Sequence, residues 1–516
     1  MELLSLWLNQ TFFFTGGKGE FLPLILSTDL LLLILLLPLF TLFFLFALSF
    51  LNTNFIYISA LFSSCISFFL SLLLWFSMDE IKGGFQSTYT IFFVPSFNFA
   101  LKLGVDGISI FFILLTNIFI FLCILNLNVS VHKVTEVILY LLLLQWSVIA
   151  SFIFLDILGF FIFFEITLIP IYFLVLIWGS RERIVRASYL ISIYTLLGSI
   201  FMFFNLIYLY SKTGTTDYEL LLTVHFTLED QLFLWLTFFI AFAAKIPVFP
   251  MHIWLPEAHV EAPTLGSVLL AVLLLKLGTY GLIRFSLPLF AEGTVYFSPL
   301  ISTFAVLGIL YTCLTAMRQI DLKKIIAYSS VGHMNIVLLG IMAGNIEGLQ
   351  GAIFQMLSHG VVSGALFFCV GALYERYSVR SLKYFGGLAY FYPIFAIIFL
   401  IFSLANISFP LSSSFIGEFL ILMGVYKYSF WATFFAATSM VLGAIYTLWT
   451  YNRIFFGNIQ INSIFAYKDL NLKEIFLFVI LILLLLLMGL KPYIFLDTIF
   501  IDCVNLLEHA KLVRKI

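Results

Sequence analysis

About fourteen stretches of roughly twenty residues, each nearly free of charge, follow one another along this 516-residue chain. Each is long enough to cross a hydrocarbon layer about 30 Å thick as a helix. No water is available there to satisfy backbone polar groups, so helices that close their own hydrogen bonds are the expected solution. The predicted spans are 29–51, 55–77, 107–127, 134–154, 158–178, 188–210, 231–249, 262–285, 299–317, 324–344, 348–374, 391–422, 430–455 and 475–490. The long apolar run before Trp178 is divided at Asp156, which sets the parity of all later spans. The fold class that follows is an all-α polytopic membrane protein.

Charge placement tests that parity. Arg181, Arg183 and Arg186, then Arg318, Lys323 and Lys324, then Arg376, Arg380 and Lys383, then Arg453, Lys468 and Lys473 fall in alternate loops and so on one face. The positive-inside rule makes that face the cytoplasm or mitochondrial matrix and puts both termini on the other side. The N-terminus shows neither the basic flank of a secretory signal nor the Arg-rich pattern of a transit peptide. With 63% hydrophobic and 10% charged residues and a net charge of -1, the chain has no basic stripe for nucleic acid. Its five cysteines form no Cys-x-x-Cys pair, so no iron-sulfur ligand set or disulfide framework is legible.

Against this background six ionisable residues stand out: Glu165, Lys245, Lys276, His333, His359 and Glu418. A charge at the centre of a membrane helix costs about 2.5 to 3.5 kcal/mol on insertion scales, so such residues mark function by default. Lysine and glutamate can have their proton affinities moved by burial and by each other, and histidine titrates near neutrality. Together they predict a proton path. Two spans are interrupted nearby. Pro247 and Pro250 follow Lys245, and Pro410 with Ser412, Ser413 and Ser414 precedes Glu418. Broken helices at membrane depth need a polar interior, and two of them lying five helices apart suggest a pair of inverted five-helix repeats in which Lys245 and Glu418 are counterparts. The corresponding division is an N-terminal extension (1–28), three first helices (29–130), a first repeat (131–290), a second repeat (291–457) and a last helix with its tail (458–516). Each ionisable group also has a structural reading. Glu165 could be a pinned packing carboxylate, either histidine a satisfied core residue, and Glu418 a cap for the second half of a broken helix. Glu257, His259 and Glu261 read as cap and turn of a polar loop rather than metal ligands, and Asp106 as the N-cap of the third helix.

The stretch at 244–285, AKIPVFPMHIWLPEAHVEAPTLGSVLLAVLLLKLGTYGLIRF, carries a resemblance, supported by FFEITLIP at 163–170, IAYSSVGHM at 326–334, QMLSHG at 355–360 and GEF at 417–419. From about Leu101 onward the chain resembles the chain 4 family of NADH-ubiquinone oxidoreductase, the antiporter-like subunits of the respiratory complex I membrane arm. The resemblance implies fourteen helices, an interacting pair at Glu165 and Lys245, and a hydrated line through Lys276, His333, His359 and Glu418. It implies proton translocation coupled to electron transfer elsewhere, with no cofactor in this chain: NADH, FMN, iron-sulfur clusters and ubiquinone belong to other subunits. The implied partners are other membrane-arm subunits, above all neighbouring antiporter-like ones, with lipids around them and no nucleic acid. The implied location is the mitochondrial inner membrane, with both termini in the intermembrane space. The 64 phenylalanines, writable with A/T-rich codons, fit an organellar genome. Other readings are a stand-alone Mrp-type sodium/proton antiporter, a haem-bearing electron-transfer subunit and a purely structural one.

Overall fold

A computed structural model describes residues 24–48, 52–94, 99–128, 133–180, 182–459 and 469–513. Most of the predicted N-terminal extension, and the loop residues Arg181 and Lys468, lie outside them. The helices are α1 (Leu24–Ala47), α2 (Thr53–Ser77), α3 (Ser109–Asn126), α4 (Val134–Ile153), α5 (Ile157–Trp178) and α6 (Ile184–Thr213). Next come α7 (Leu228–Lys245), α8 (Trp254–Glu261), α9 (Thr264–Leu289), α10 (Ala291–Arg318), α11 (Leu322–Met342) and α12 (Ile346–Tyr377). The chain ends with α13 (Pro393–Asn406), α14 (Ser413–Tyr428), α15 (Phe430–Phe455), α16 (Leu472–Leu490) and α17 (Tyr493–Val513). Among the described residues, 12 helices are long and apolar enough to cross a membrane. Two further crossings are composite, α7 with α8 and α13 with α14, which restores the fourteen spans.

Local chemistry explains the boundaries. Asp156 ends the α4–α5 turn by accepting the Leu158 N–H at 2.8 Å, as the division at that residue predicts. Thr227 caps α7 through the Asp230 N–H at 3.3 Å. That helix stops at Lys245 rather than near Phe249, because Pro247 and Pro250 supply no donors to extend it. Beyond the break the predicted polar loop is instead the buried half-helix α8. The twelfth span breaks after Asn406, and α14 restarts at Ser413.

Two elements were not anticipated. An antiparallel hairpin, β1 (Gln86–Val94) with β2 (Phe99–Val105), joins α2 to α3, and α17 continues past the last span where only a tail was expected. By parity, both lie on the face opposite the basic loops. Those loops are more than topology signals. Arg380 donates to Val260 O and to Ser180 Oγ at 2.6 Å each, Lys323 donates to Ala262 O at 2.7 Å, and Lys324 pairs with Glu257 at 3.1 Å. They tie α8 and the start of α9 to the helices around them.

Burial sorts the spans. The most apolar windows of α9 and α12 are entirely inside the protein, whereas those of α1, α2, α15 and α16 are mostly on its surface. A buried polar knot joins the first helices: Gln145 Nε2 donates to Ser67 Oγ and to Asn117 Oδ1, both at 2.8 Å. The cysteines described as buried, Cys123, Cys313, Cys369 and Cys503, are free thiols and act as small apolar side chains.

Candidate functional site

The innermost helices carry the site. Lys276 on α9 has 0% of its surface exposed and Lys245 at the end of α7 only 3%. Two π-helical turns, Leu270–Leu274 and Leu282–Ser286, flank Lys276. A π turn interrupts the i to i−4 ladder and leaves carbonyls for other donors. The Lys276 ammonium takes one of them, Ala271 O, and its Nζ stands 2.9 Å from Nδ1 of His359 on α12.

From there the line continues. The rings of His359 and His333 lie 5.7 Å apart between centroids. His333 Nδ1 is 2.9 Å from Glu418 Oε1, and its Nε2 is 3.2 Å from Asn406 Oδ1 at the α13 break. Gln355 Nε2 donates to the same Glu418 oxygen at 3.2 Å, and Ser358 Oγ donates to Gln355 Oε1 at 3.0 Å. Four predicted residues on four different elements thus lie in one polar row inside an apolar bundle, hydrogen-bonded at its two ends and held by a ring contact, without a hydrogen bond, between the histidines. Glu418 lies beyond the first turn of α14, which contains no acidic residue. The capping alternative therefore has no support, since the effect of a helix dipole fades beyond that turn.

Glycines bring these helices together. A Cβ on Gly417 would fall 2.5 Å from Gln355 Oε1 and 2.9 Å from its Cα. Gly417→Ala is therefore expected to cost about 1 to 3 kcal/mol and to push α14 from α12. A thermal midpoint at wild-type level would refute this close-packing role.

The other two predicted residues meet differently. No hydrogen bond or ion pair joins Glu165 to Lys245. Lys245 donates to Phe164 O, the carbonyl one residue before Glu165, where α5 is locally broken between Ile166 and Leu168. Pro170 removes the donor that would have served Ile166 O. The Glu165 carboxylate lies beside Ser199 within the field of Lys245, and its Oε1 is buried without a partner. The pair is coupled through space, in an arrangement that a small shift of either helix would change.

His259, read from the sequence as part of a cap and turn rather than as a metal ligand, lies in α8. It is fully buried, stacked on Phe367 at 4.6 Å, with neither ring nitrogen hydrogen-bonded, and it feels the charges of Lys323 and Lys276. Its neighbours Glu257 and Glu261 instead line a cleft of about 470 Å³ with Ser180, Arg183 and Lys324 on the basic face. Asn406 and Gln355 were also missed. Neither amide has a spacing signal, and only the helix break at Asn406 hinted at it.

Comparison with known proteins identifies relatives of this chain and of its fold. The family described as NADH:quinone oxidoreductase/Mrp antiporter, TM, matches residues 155–445. NADH-ubiquinone oxidoreductase chain 4 of Marchantia polymorpha is 48% identical over 450 residues, covering 87% of this chain and 91% of the relative. The chain 4 of Arabidopsis thaliana gives the same identity and coverage. Among solved structures, a chain of the Thermus thermophilus respiratory complex I with bound NADH superposes with TM-score 0.83 at 31% identity, covering 94% of this chain and 99% of that one. A chain of the Mrp complex from Dietzia sp. shares the fold, with TM-score 0.82 at 19% identity over 95% and 99% of the two chains. The chain belongs to the NADH:quinone oxidoreductase/Mrp antiporter family and, within it, to the NADH-ubiquinone oxidoreductase chain 4 group.

Proposed function

We propose that this chain translocates protons in the membrane arm of respiratory complex I through the line Glu165, Lys245, Lys276, His359, His333 and Glu418. The observation that carries the reading is the contact series from Lys276 to Glu418. Every member can bind and release a proton; hydrogen-bond contacts join Lys276 to His359 and His333 to Glu418, and the two histidine rings lie side by side between them. Lys245 and Lys276 lie on packed helices, since a Cβ on Gly278 of α9 would fall 2.8 Å from Ile246 Cγ1. Water is the carrier between them.

In this mechanism the Glu165 carboxylate holds a proton on Lys245. Separation of the two leaves a desolvated ammonium that gives up its proton toward Lys276. His359 and His333 pass it on by exchanging donor and acceptor nitrogens, and Glu418 delivers it to the exit or to a neighbouring subunit. The cleft at Glu257, Glu261 and Lys324 gives access from the basic face, which the positive-inside rule equates with the matrix, placing both termini in the intermembrane space. Redox energy arrives as an electrostatic or conformational change from subunits that carry NADH, FMN, the iron-sulfur clusters and ubiquinone. The adjoining subunits in this reading are antiporter-like, with lipid over the exposed helices.

Native electrophoresis with in-gel NADH oxidation, followed by identification of this chain in the active band, tests membership. A chain found only outside that band, carrying sodium in liposomes, would favour the antiporter. His359→Leu is expected to break the line and reduce pumping at least about tenfold, equivalent to roughly 1.4 kcal/mol. Unchanged proton-to-electron ratios in assembled complex would overturn the His359 step.

A further inference from the structure

A second set of buried charges lies away from the line, on the face opposite the basic loops. Arg284, at the far end of α9, pairs with Asp106 in the turn between β2 and α3. Asp502 on α17 accepts the Gly107 N–H at 2.7 Å and the Gly84 N–H at 2.8 Å. Asp106, Arg284 and Asp502 are all buried. Asp106 does cap α3, accepting the Ser109 N–H at 2.9 Å, but the cap was only half of its role. The approach is close enough that a Cβ on Gly107 would fall 2.1 Å from Thr498 O. A narrow cleft of about 10 Å³ leads from the exposed Asp79, Glu80 and Lys82 to Asp502, which is room for about one water.

Two carboxylates and one guanidinium leave an uncompensated negative charge in a buried site unless one carboxyl is protonated. Like charges in one site cannot both ionise freely. We propose that Asp106, Asp502 and Arg284 form a proton-binding site on this face, in which the two carboxylates share the guanidinium and retain one proton that exchanges with the aqueous phase through the cleft. The proton is added to a carboxylate oxygen of Asp502 from water and returns to water, with no other reactant. The other groups facing the site are Tyr218, Tyr280 and Cys503, along with Asp79, Glu80 and Lys82 at the cleft. Burial first, and then the Asp106 charge, push the Asp502 carboxyl up to about 7, against the opposing pull of the Gly84 N–H, of Arg284 and of the Gly107 N–H. Because the folded protein holds this proton more tightly than the unfolded chain, docking of α17 weakens as pH rises from the ordinary carboxylate range to about 7, and levels off above it. Arg284 Nε donates to Tyr280 Oη at 3.3 Å, and Tyr280 sits one helical turn from Lys276, so the site's charge state is transmitted toward the proton line.

The link to pumping rests on the proton-translocation reading; the titration itself does not. The test uses assembled complex in liposomes with internal pH clamped and the pH on the hairpin side varied from about 5.5 to about 8, a range centred on the raised carboxyl. Wild type is expected to show a one-proton dependence of turnover. Asp502→Asn, which keeps one accepting oxygen and cannot ionise, should assemble and lose that dependence, and Asp502→Glu should keep it with a shifted midpoint. A wild-type pH profile in both Asp502→Asn and Asp106→Asn would overturn the site, and so would failure of Asp502→Asn to assemble. Lys245→Ala in the same assay separates the two readings. Abolished pumping there, with an unaltered Asp502→Asn profile, overturns this site alone, whereas wild-type pumping in Lys245→Ala overturns the relay.

Discussion

Lys245→Ala is expected to leave an assembled complex that oxidises NADH but pumps protons at least about tenfold less, equivalent to roughly 1.4 kcal/mol. The alanine removes the cation whose field reaches Glu165. Glu165, already with one oxygen unpartnered, is then an uncompensated buried charge that costs about 3 to 5 kcal/mol. It relieves that cost by keeping a proton, and a permanently neutral carboxyl drives nothing. Lys245→Arg is the sharper variant. It preserves the positive charge and still donates to the Phe164 carbonyl, but a guanidinium does not deprotonate in proteins. If Lys245 only pins α7 against α5, arginine should pump nearly as well as lysine. If it carries protons, arginine should fail almost as completely as alanine. Proton-to-electron ratios for both variants, measured beside a blue-native assay of assembly, decide between these outcomes.

The second large effect is expected at Glu418. Glutamine there keeps the shape and can still accept from Gln355, which donates at 3.2 Å, but it cannot ionise opposite His333. Glu418→Gln should therefore lose about tenfold or more in coupled pumping, the scale of a missing general acid or base. Glu418→Asp retains ionisation with a reach shorter by one methylene and should keep a measurable part of the activity. Equal pumping by the glutamine variant and wild type would remove Glu418 from the proton path without touching the fold.

The residues themselves show why part of this site was legible and part was not. Lys276 and Glu418 announce themselves because a charge in an apolar run needs a reason, and helix breaks beside Pro247 and Pro410 flag a polar interior. What the spacing did not convey is pairing. His359 meets Lys276 across 83 positions of chain and His333 meets Glu418 across 85, and no local periodicity encodes such distances. Glu165 and Lys245 were expected as an interacting pair, and the field of the ammonium does reach the carboxylate, but its hydrogen bond goes to the Phe164 carbonyl at the local break of α5. Asn406 and Gln355 gave almost no signal because a neutral amide is common in any helix, and His259 stood out only as one member of a polar loop.

The order of apolar and charged segments alone determined that this chain is a polytopic helical protein, how many times it crosses, and which residues are too costly to be accidental, because each follows from transfer of short segments out of water. It did not determine which helices lie at the centre. The window of α16 is more apolar than that of α12, yet the α12 window is wholly buried and that of α16 is mostly on the surface. Lipid and protein interior are equally apolar, so hydropathy cannot rank them, and close packing through small residues such as Gly417 and Gly278 decides instead. That same packing, which places α9 and α12 together, is what makes one line out of Lys276, His359, His333 and Glu418.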